Sequence, residues 1–288
     1  MEAATGGSAT TVWLRYPFSL RPRRGSVLRM SRTQTRTPIG CETNMPNLYA
    51  GTSGFAYTSW KPDFYPEKLP SKKFLGYYSG RLNAVEVNYT FRRLPSVSTL
   101  ENWVNETRPG FAFPLKAHMR ITHIQRLKPS EFTEVFFKAI DPLRAARRLG
   151  PVLFQLPPAM KCDEALLADF LATLPPDMRY AFEFRHVSWL VDPVYKLLEK
   201  HGVALCLAES EKLTIPEVIT ANFVYSRLRM PEYSAEDRQE IAARADQLLK
   251  QGQDVYVFFK HEETAAGALY AEELLKTQNP EARIQNPE

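Results

Sequence analysis

The chain has 288 residues, 44% hydrophobic and 24% charged, a balance that supports a sizeable globular core and excludes a chain too polar to fold. No apolar run approaches the roughly 18 residues that a membrane-crossing helix needs. The net charge of +5 falls entirely in residues 1–45, which carry seven arginines against Glu2 and Glu42, so the remainder is neutral and has no global field to steer a nucleic acid.

Residues 1–45 are rich in Arg, Ser, Thr and Gly and lack hydrophobic periodicity. They read as a disordered basic extension, either a transit-type leader or the product of a start assigned upstream of Met45. One domain is expected over 46–288. Cys41, Cys162 and Cys206 are scattered and form no CxxC pair, which predicts reduced, cytoplasmic thiols and no structural zinc.

From Leu48 onward, β-rich runs alternate with amphipathic stretches. The predicted strands are 48–53, 84–90, 111–118, 151–156, 180–186, 203–209, 223–229 and 254–261. Asp163 is placed to cap a helix with an apolar stripe of Leu166, Leu167, Phe170 and Leu171. Asp192 and Pro193 read as a cap and first-turn proline of a helix that Gly202 ends. Ser234 and Asp237 have capping-box spacing, and Leu269, Leu274 and Leu275 mark a last helix.

Eight strand–helix repeats predict right-handed crossovers and a (β/α)8 TIM barrel, with an open doubly wound sheet as the alternative. The connection 210–222 is near the minimum for a parallel crossover and contains Pro216, so the sixth helix is expected to be short or degenerate.

Polar residues gather at the C-terminal ends of these strands at spacings of two, and therefore share a face. They are Glu86, Asn88 and Thr90, then Lys116 and His118, Gln155, Glu183 and Arg185, Arg227 and Arg229, and Lys260. Two readings apply: an internal Glu–Arg network filling the barrel, or a ligand pocket. Five cations (Lys116, Arg185, Arg227, Arg229, Lys260) face two carboxylates (Glu86, Glu183), a surplus that favours a pocket for a phosphate or carboxylate.

His118, His123 and His261, with Glu86, Glu183, Glu209 and Glu262, show no tight metal-ligand spacing, so no metal is expected. Gly51-Thr52-Ser53-Gly54 matches neither a dinucleotide fingerprint nor a P-loop; it reads as a tight turn, and no cofactor is expected. The aromatics Phe55, Tyr57, Trp60, Phe64 and Tyr65, with Trp189, are expected to pack loops over the barrel rather than stack on a ligand.

The motifs Gly51-Thr52-Ser53-Gly54-Phe55-x-Tyr57-x-x-Trp60, Val85-Glu86-Val87-Asn88-x-Thr90-Phe91, Leu153-Phe154-Gln155-Leu156-Pro157-Pro158 and Phe182-Glu183-Phe184-Arg185-His186-x-Ser188-Trp189 resemble the YecE-like family, domain of unknown function 72. The resemblance runs over roughly 47–277. It implies a TIM-barrel-like fold and leaves the activity open.

The functional expectation is a metal-independent enzyme, of hydrolase, lyase or isomerase type, acting on a small phosphorylated substrate. Glu183 would be the acid–base group with Glu86 or His123 as partner. Lys116, Arg185, Arg227, Lys260, Asn88 and Gln155 would bind the substrate. A non-catalytic anion or nucleotide binder is the first alternative. A metal-dependent phosphodiesterase acting on nucleic acid is the second, and the neutral body disfavours it.

Overall fold

A computed structural model describes residues 45–278. The basic extension expected over 1–45 lies almost wholly outside the described residues. Seven parallel strands form one curled sheet: β1 (Leu48–Thr52), β2 (Phe113–Lys116), β3 (Leu149–Gln155), β4 (Tyr180–Glu183), β5 (Ala204–Ala208), β6 (Phe223–Leu228) and β7 (Asp254–Phe259). Their order is β1-β7-β6-β5-β4-β3-β2.

Flanking helices are α1 (Phe74–Arg81), α2 (Val97–Glu106), α3 (Glu131–Ala145), α4 (Glu164–Ala172), α5 (Asp192–Lys200), α6 (Ala235–Lys250) and α7 (Ala266–Gln278). Among the described residues no helix is long and apolar enough to cross a membrane.

The expected strand over 84–90 departs from prediction. It is not a regular strand but makes isolated parallel bridges, Ser53 with Glu86 on one side, and Ala84 with Ala112 and Val87 with Leu115 on the other. Glu86 donates its amide to Thr52 O at 3.0 Å, while Val85 donates to Ala112 O at 3.1 Å and Val87 to Pro114 O at 2.8 Å. The segment thus hydrogen-bonds to both edge strands of the sheet. Gly51 allows the approach: a Cβ there would sit 1.9 Å from Ala84 O.

Helix punctuation follows local chemistry. Asp163 accepts the Leu166 amide at the start of α4, and Ser234 and Asp237 complete their reciprocal capping box at α6. At α5 the N-cap is Val191, without a side-chain bond, and Asp192 is instead the first helical residue ahead of Pro193. The shift of one places the carboxylate in the first turn, where the helix dipole favours it. Gly202, at φ +62°, carries the chain out of α5. No helix occurs over 209–222, where Pro216 interrupts the crossover.

Strand alternation divides the core in two. Leu205, Leu207, Phe154, Phe182 and Val257 pack outward with the helices. The inner cluster sets Phe223, Tyr225, Tyr256 and Phe258 of β6 and β7 against small residues of the other strands, among them Ala181, Ala204 and Ala208. Large side chains from one part of the wall fill the space that alanines leave on the rest. The first-loop aromatics pack as expected: Trp60 and Tyr65 are buried, stacked at 5.9 Å, and Tyr65 stacks on Phe74 at 4.0 Å.

Candidate functional site

The polar layer lies one inward position beyond the apolar inner cluster. Ala84 is followed by Glu86, Leu153 by Gln155, Ala181 by Glu183 and Tyr225 by Arg227, each two residues on and therefore on the same face. Arg227 is the centre. Its Nη2 donates to Glu86 at 2.7 Å and its Nη1 to Glu183 at 2.5 Å, with all three side chains at most 2% exposed. Ser53 and Tyr225 donate to the two oxygens of Glu86 at 2.7 and 2.8 Å. Glu86 and Glu183 therefore meet through one guanidinium.

Glu183 gathers three arginines. Besides Arg227, Arg185 donates through Nε at 3.0 Å and Arg229 through Nη2 at 3.0 and 3.2 Å, while Gln155 donates at 2.9 Å. Burial pushes the carboxyl upward, but the three guanidiniums and the Gln155 bond outweigh it and hold Glu183 well below the usual carboxylate range. A carboxylate held in this way stays charged and accepts from three arginines, whereas the expected acid–base role needs a group that both takes up and gives back a proton.

Lys116 completes the layer. Its Nζ donates to Gln155 Oε1 at 2.8 Å and lies 3.9 Å from the Phe91 ring centroid. His123, in the turn Arg120–Ile124 that follows β2, meets the edge of Phe91 at 5.0 Å and shares a 2.9 Å hydrogen bond with Thr122. Burial, with Lys116 and Arg185 nearby, lowers the His123 pKa.

Above this layer opens a cleft of about 430 Å³ at the C-terminal ends of β4, β5, β6 and β7. Glu183, Arg185, Glu209, Lys212, Arg229 and Lys260 are among its lining residues. One wall is the helix-free connection after β5, which supplies Ser210 through Leu213 and Ile215. Of the residues selected from sequence, Glu183, Arg185 and Lys260 line the cleft. Arg227 lies beneath it with both terminal nitrogens committed to carboxylates, so it serves the buried network instead of the expected substrate contact. Asn88 starts the turn Tyr89–Phe91 without a side-chain cap bond.

Sequence reasoning counted Arg229 among the five strand-end cations but left it out of the substrate-binding set, and considered Glu209 only as a metal ligand. Glu209 accepts the amides of Arg229 at 2.5 Å and Met230 at 3.1 Å, together with the Tyr233 hydroxyl. Burial raises its pKa against those hydrogen bonds. The spacing of two from Arg227 had already placed Arg229 on the inward face. Tyr233 was not legible as a site residue, since it lies in the loop between β6 and α6, outside any strand-end pattern. His261 does not line the cleft but packs against Tyr233 at 6.0 Å between ring centroids, its Nε2 at 3.1 Å from Pro231 O. Among the described residues no group of three or more His, Cys, Asp or Glu side chains converges as a metal site would require.

A curled parallel sheet with flanking helices and a charged C-terminal mouth defines an α/β protein of barrel-like architecture. The family model "Protein of unknown function DUF72" matches residues 49–288, and the chain belongs to that family. The UPF0759 protein YunF of Bacillus subtilis is 30% identical over 156 residues, 52% of this chain and 54% of that protein. The chain thus spans about half the length of the curated relative it matches. A DUF72 family crystal structure from Thermotoga maritima superposes with a TM-score of 0.72 at 28% identity, over 81% of this chain and 99% of the other. One from Enterococcus faecalis superposes at 0.66 with 16% identity, over 81% and 98%, a likeness of fold alone.

Proposed function

We propose that the sheet acts as a closed (β/α)8 barrel, with 84–88 as its eighth stave, and that the cleft binds a small phosphorylated molecule on which the protein acts without a metal. The observation that carries this is the posture of Arg185. Its Nε is pinned to Glu183, its side chain is 34% exposed, and its terminal nitrogens have no hydrogen-bond partner among the described residues. A guanidinium fixed through Nε and open at Nη1 and Nη2 offers the paired donors that phosphate oxygens accept. Lys212 and Lys260 line the same cleft and add positive charge. In this reading Glu183 aligns the arginines, Arg227 neutralises Glu86 and Glu183 beneath them, and Glu209 is the titratable carboxyl of the cleft. Free thiols at Cys162 and Cys206 support a reducing, cytoplasmic setting.

Calorimetric titration with inorganic phosphate and small phosphorylated compounds tests the reading. Arg185→Ala should weaken binding roughly 10- to 100-fold, the loss expected for a charge-assisted hydrogen bond worth about 1.5–3 kcal/mol. Unchanged affinity in that variant would refute the anion site. Saturable binding without turnover of any bound compound would make the protein a binder instead of an enzyme.

A further inference from the structure

Lys116 is a half-buried member of the polar layer to which the phosphate reading gives no task. It stands at the C-terminal end of β2, at the mouth of the sheet, with its amine hydrogen-bonded to the neutral amide of Gln155 and laid on the Phe91 ring. Among the described residues no carboxylate lies within ion-pair distance of it, whereas Arg227, Arg229 and Arg185 take both oxygens of Glu183. The layer supplies carboxylates to its arginines and a carbonyl oxygen to its lysine.

The geometry points to Lys116 as an amine nucleophile that forms an imine with a small phosphorylated aldehyde or ketone. This rests on the cleft being the phosphate site, for Gln155 bonds both to Lys116 and to Glu183, which anchors Arg185. Lys116 does not itself line the cleft but is joined to its edge through Gln155 and Glu183. Under this assignment a ligand held by its phosphate at Arg185 presents its carbonyl to the amine across that edge.

The electrostatic surroundings support the assignment. Burial and the Arg227 charge lower the Lys116 pKa to about 8, with Arg185 adding to the effect and Glu183 and Glu86 opposing it. Lysines become nucleophiles by this combination of desolvation and a cationic neighbour. About a quarter of such amines are uncharged at pH 7.5, against roughly one in a thousand for an ordinary lysine of pKa near 10.4. His123, the other titratable group beside Phe91, has its pKa lowered and favours the neutral ring that can relay a proton.

The step balances without an oxidant or a metal. The Nζ lone pair attacks the carbonyl carbon, and the oxygen takes up one amine proton to give the carbinolamine. The hydroxyl then departs as water with the second amine proton, leaving the C=N bond. Hydrolysis reverses the sequence.

Incubation of the full chain with glycolaldehyde phosphate and cyanoborohydride, followed by peptide mass mapping, tests the proposal. Glycolaldehyde serves as the unphosphorylated control. Lys116 should be labelled at least 10-fold faster than Lys250, whose side chain is 74% exposed. Its labelling rate should have a midpoint near pH 8, and Lys116→Arg should remove that label while keeping the circular dichroism spectrum. Labelling of Lys116 no faster than Lys250 with either aldehyde overturns the imine, even where calorimetry finds phosphate binding. Equally fast labelling by the two aldehydes keeps the imine and overturns the phosphate subsite.

Discussion

At the residue scale the structure turns on how two buried carboxylates are kept charged. Arg227 bonds to Glu86 and Glu183 at once, and removing it would leave both anions buried without that partner. Breaking a buried ion pair from one side costs about 3–5 kcal/mol, so Arg227→Met should lower the urea midpoint accordingly. A loss under about 1 kcal/mol would mean that water reaches the carboxylates. The pH dependence of stability follows from Glu183, whose folded pKa is depressed below its ordinary 4.5. Its contribution is therefore complete above about pH 4.5 and drains away as the pH falls toward the folded value. Glu183→Gln should be less stable than the parent at pH 7, with the gap narrowing on acidification. Parallel urea midpoints from pH 7 to pH 3 would contradict this.

At the scale of elements, the caps act locally and the strands act through their neighbours. The reciprocal bonds of Ser234 and Asp237 begin α6, which packs Ile241, Ala245 and Leu248 inward. Ser234→Ala should cost about 1 kcal/mol in thermal unfolding, the usual worth of an N-cap, with the cleft unaffected. These features were legible in the chain because a cap and its target lie three residues apart. The connection 210–222 was legible only in part. Pro216 and the short span predicted a poor helix, but that the helix-free stretch forms a cleft wall depends on residues at the C-terminal ends of β4, β6 and β7 around it.

At the scale of the whole molecule, the segment between the edge strands decides the shape. Asn83 ties it down: its side chain accepts the Ala50 amide at 2.9 Å and donates to Leu48 O at 2.7 Å, while its own carbonyl accepts the Ala112 amide at 2.9 Å. One residue thus holds β1 through its side chain and the stretch leading into β2 through its backbone. Asn83→Ala should cost about 1–3 kcal/mol by leaving the Ala50 amide and the part-buried Leu48 carbonyl without their partner. Hydrogen exchange should accelerate at Ala50 and Glu86 before the rest of the sheet. Uniform acceleration across all strands would show that the junction opens only with global unfolding.

Determined by the sequence alone were the period-two runs, the helix punctuation, the neutrality of the body and the family motifs, because each depends on residues close in the chain or on composition. Alternation also put Glu86, Gln155, Glu183 and Arg227 on one face of their strands. Only the tertiary structure decided which of those charges are consumed and which remain open to a ligand. Arg185 and Arg227 look equivalent as strand-end cations, yet one lines the cleft and the other is sealed between two carboxylates. The physical reason is that a buried charge takes its role from partners 44 and 141 residues distant, as Arg227 does from Glu183 and Glu86, and sheet curvature alone brings those partners together.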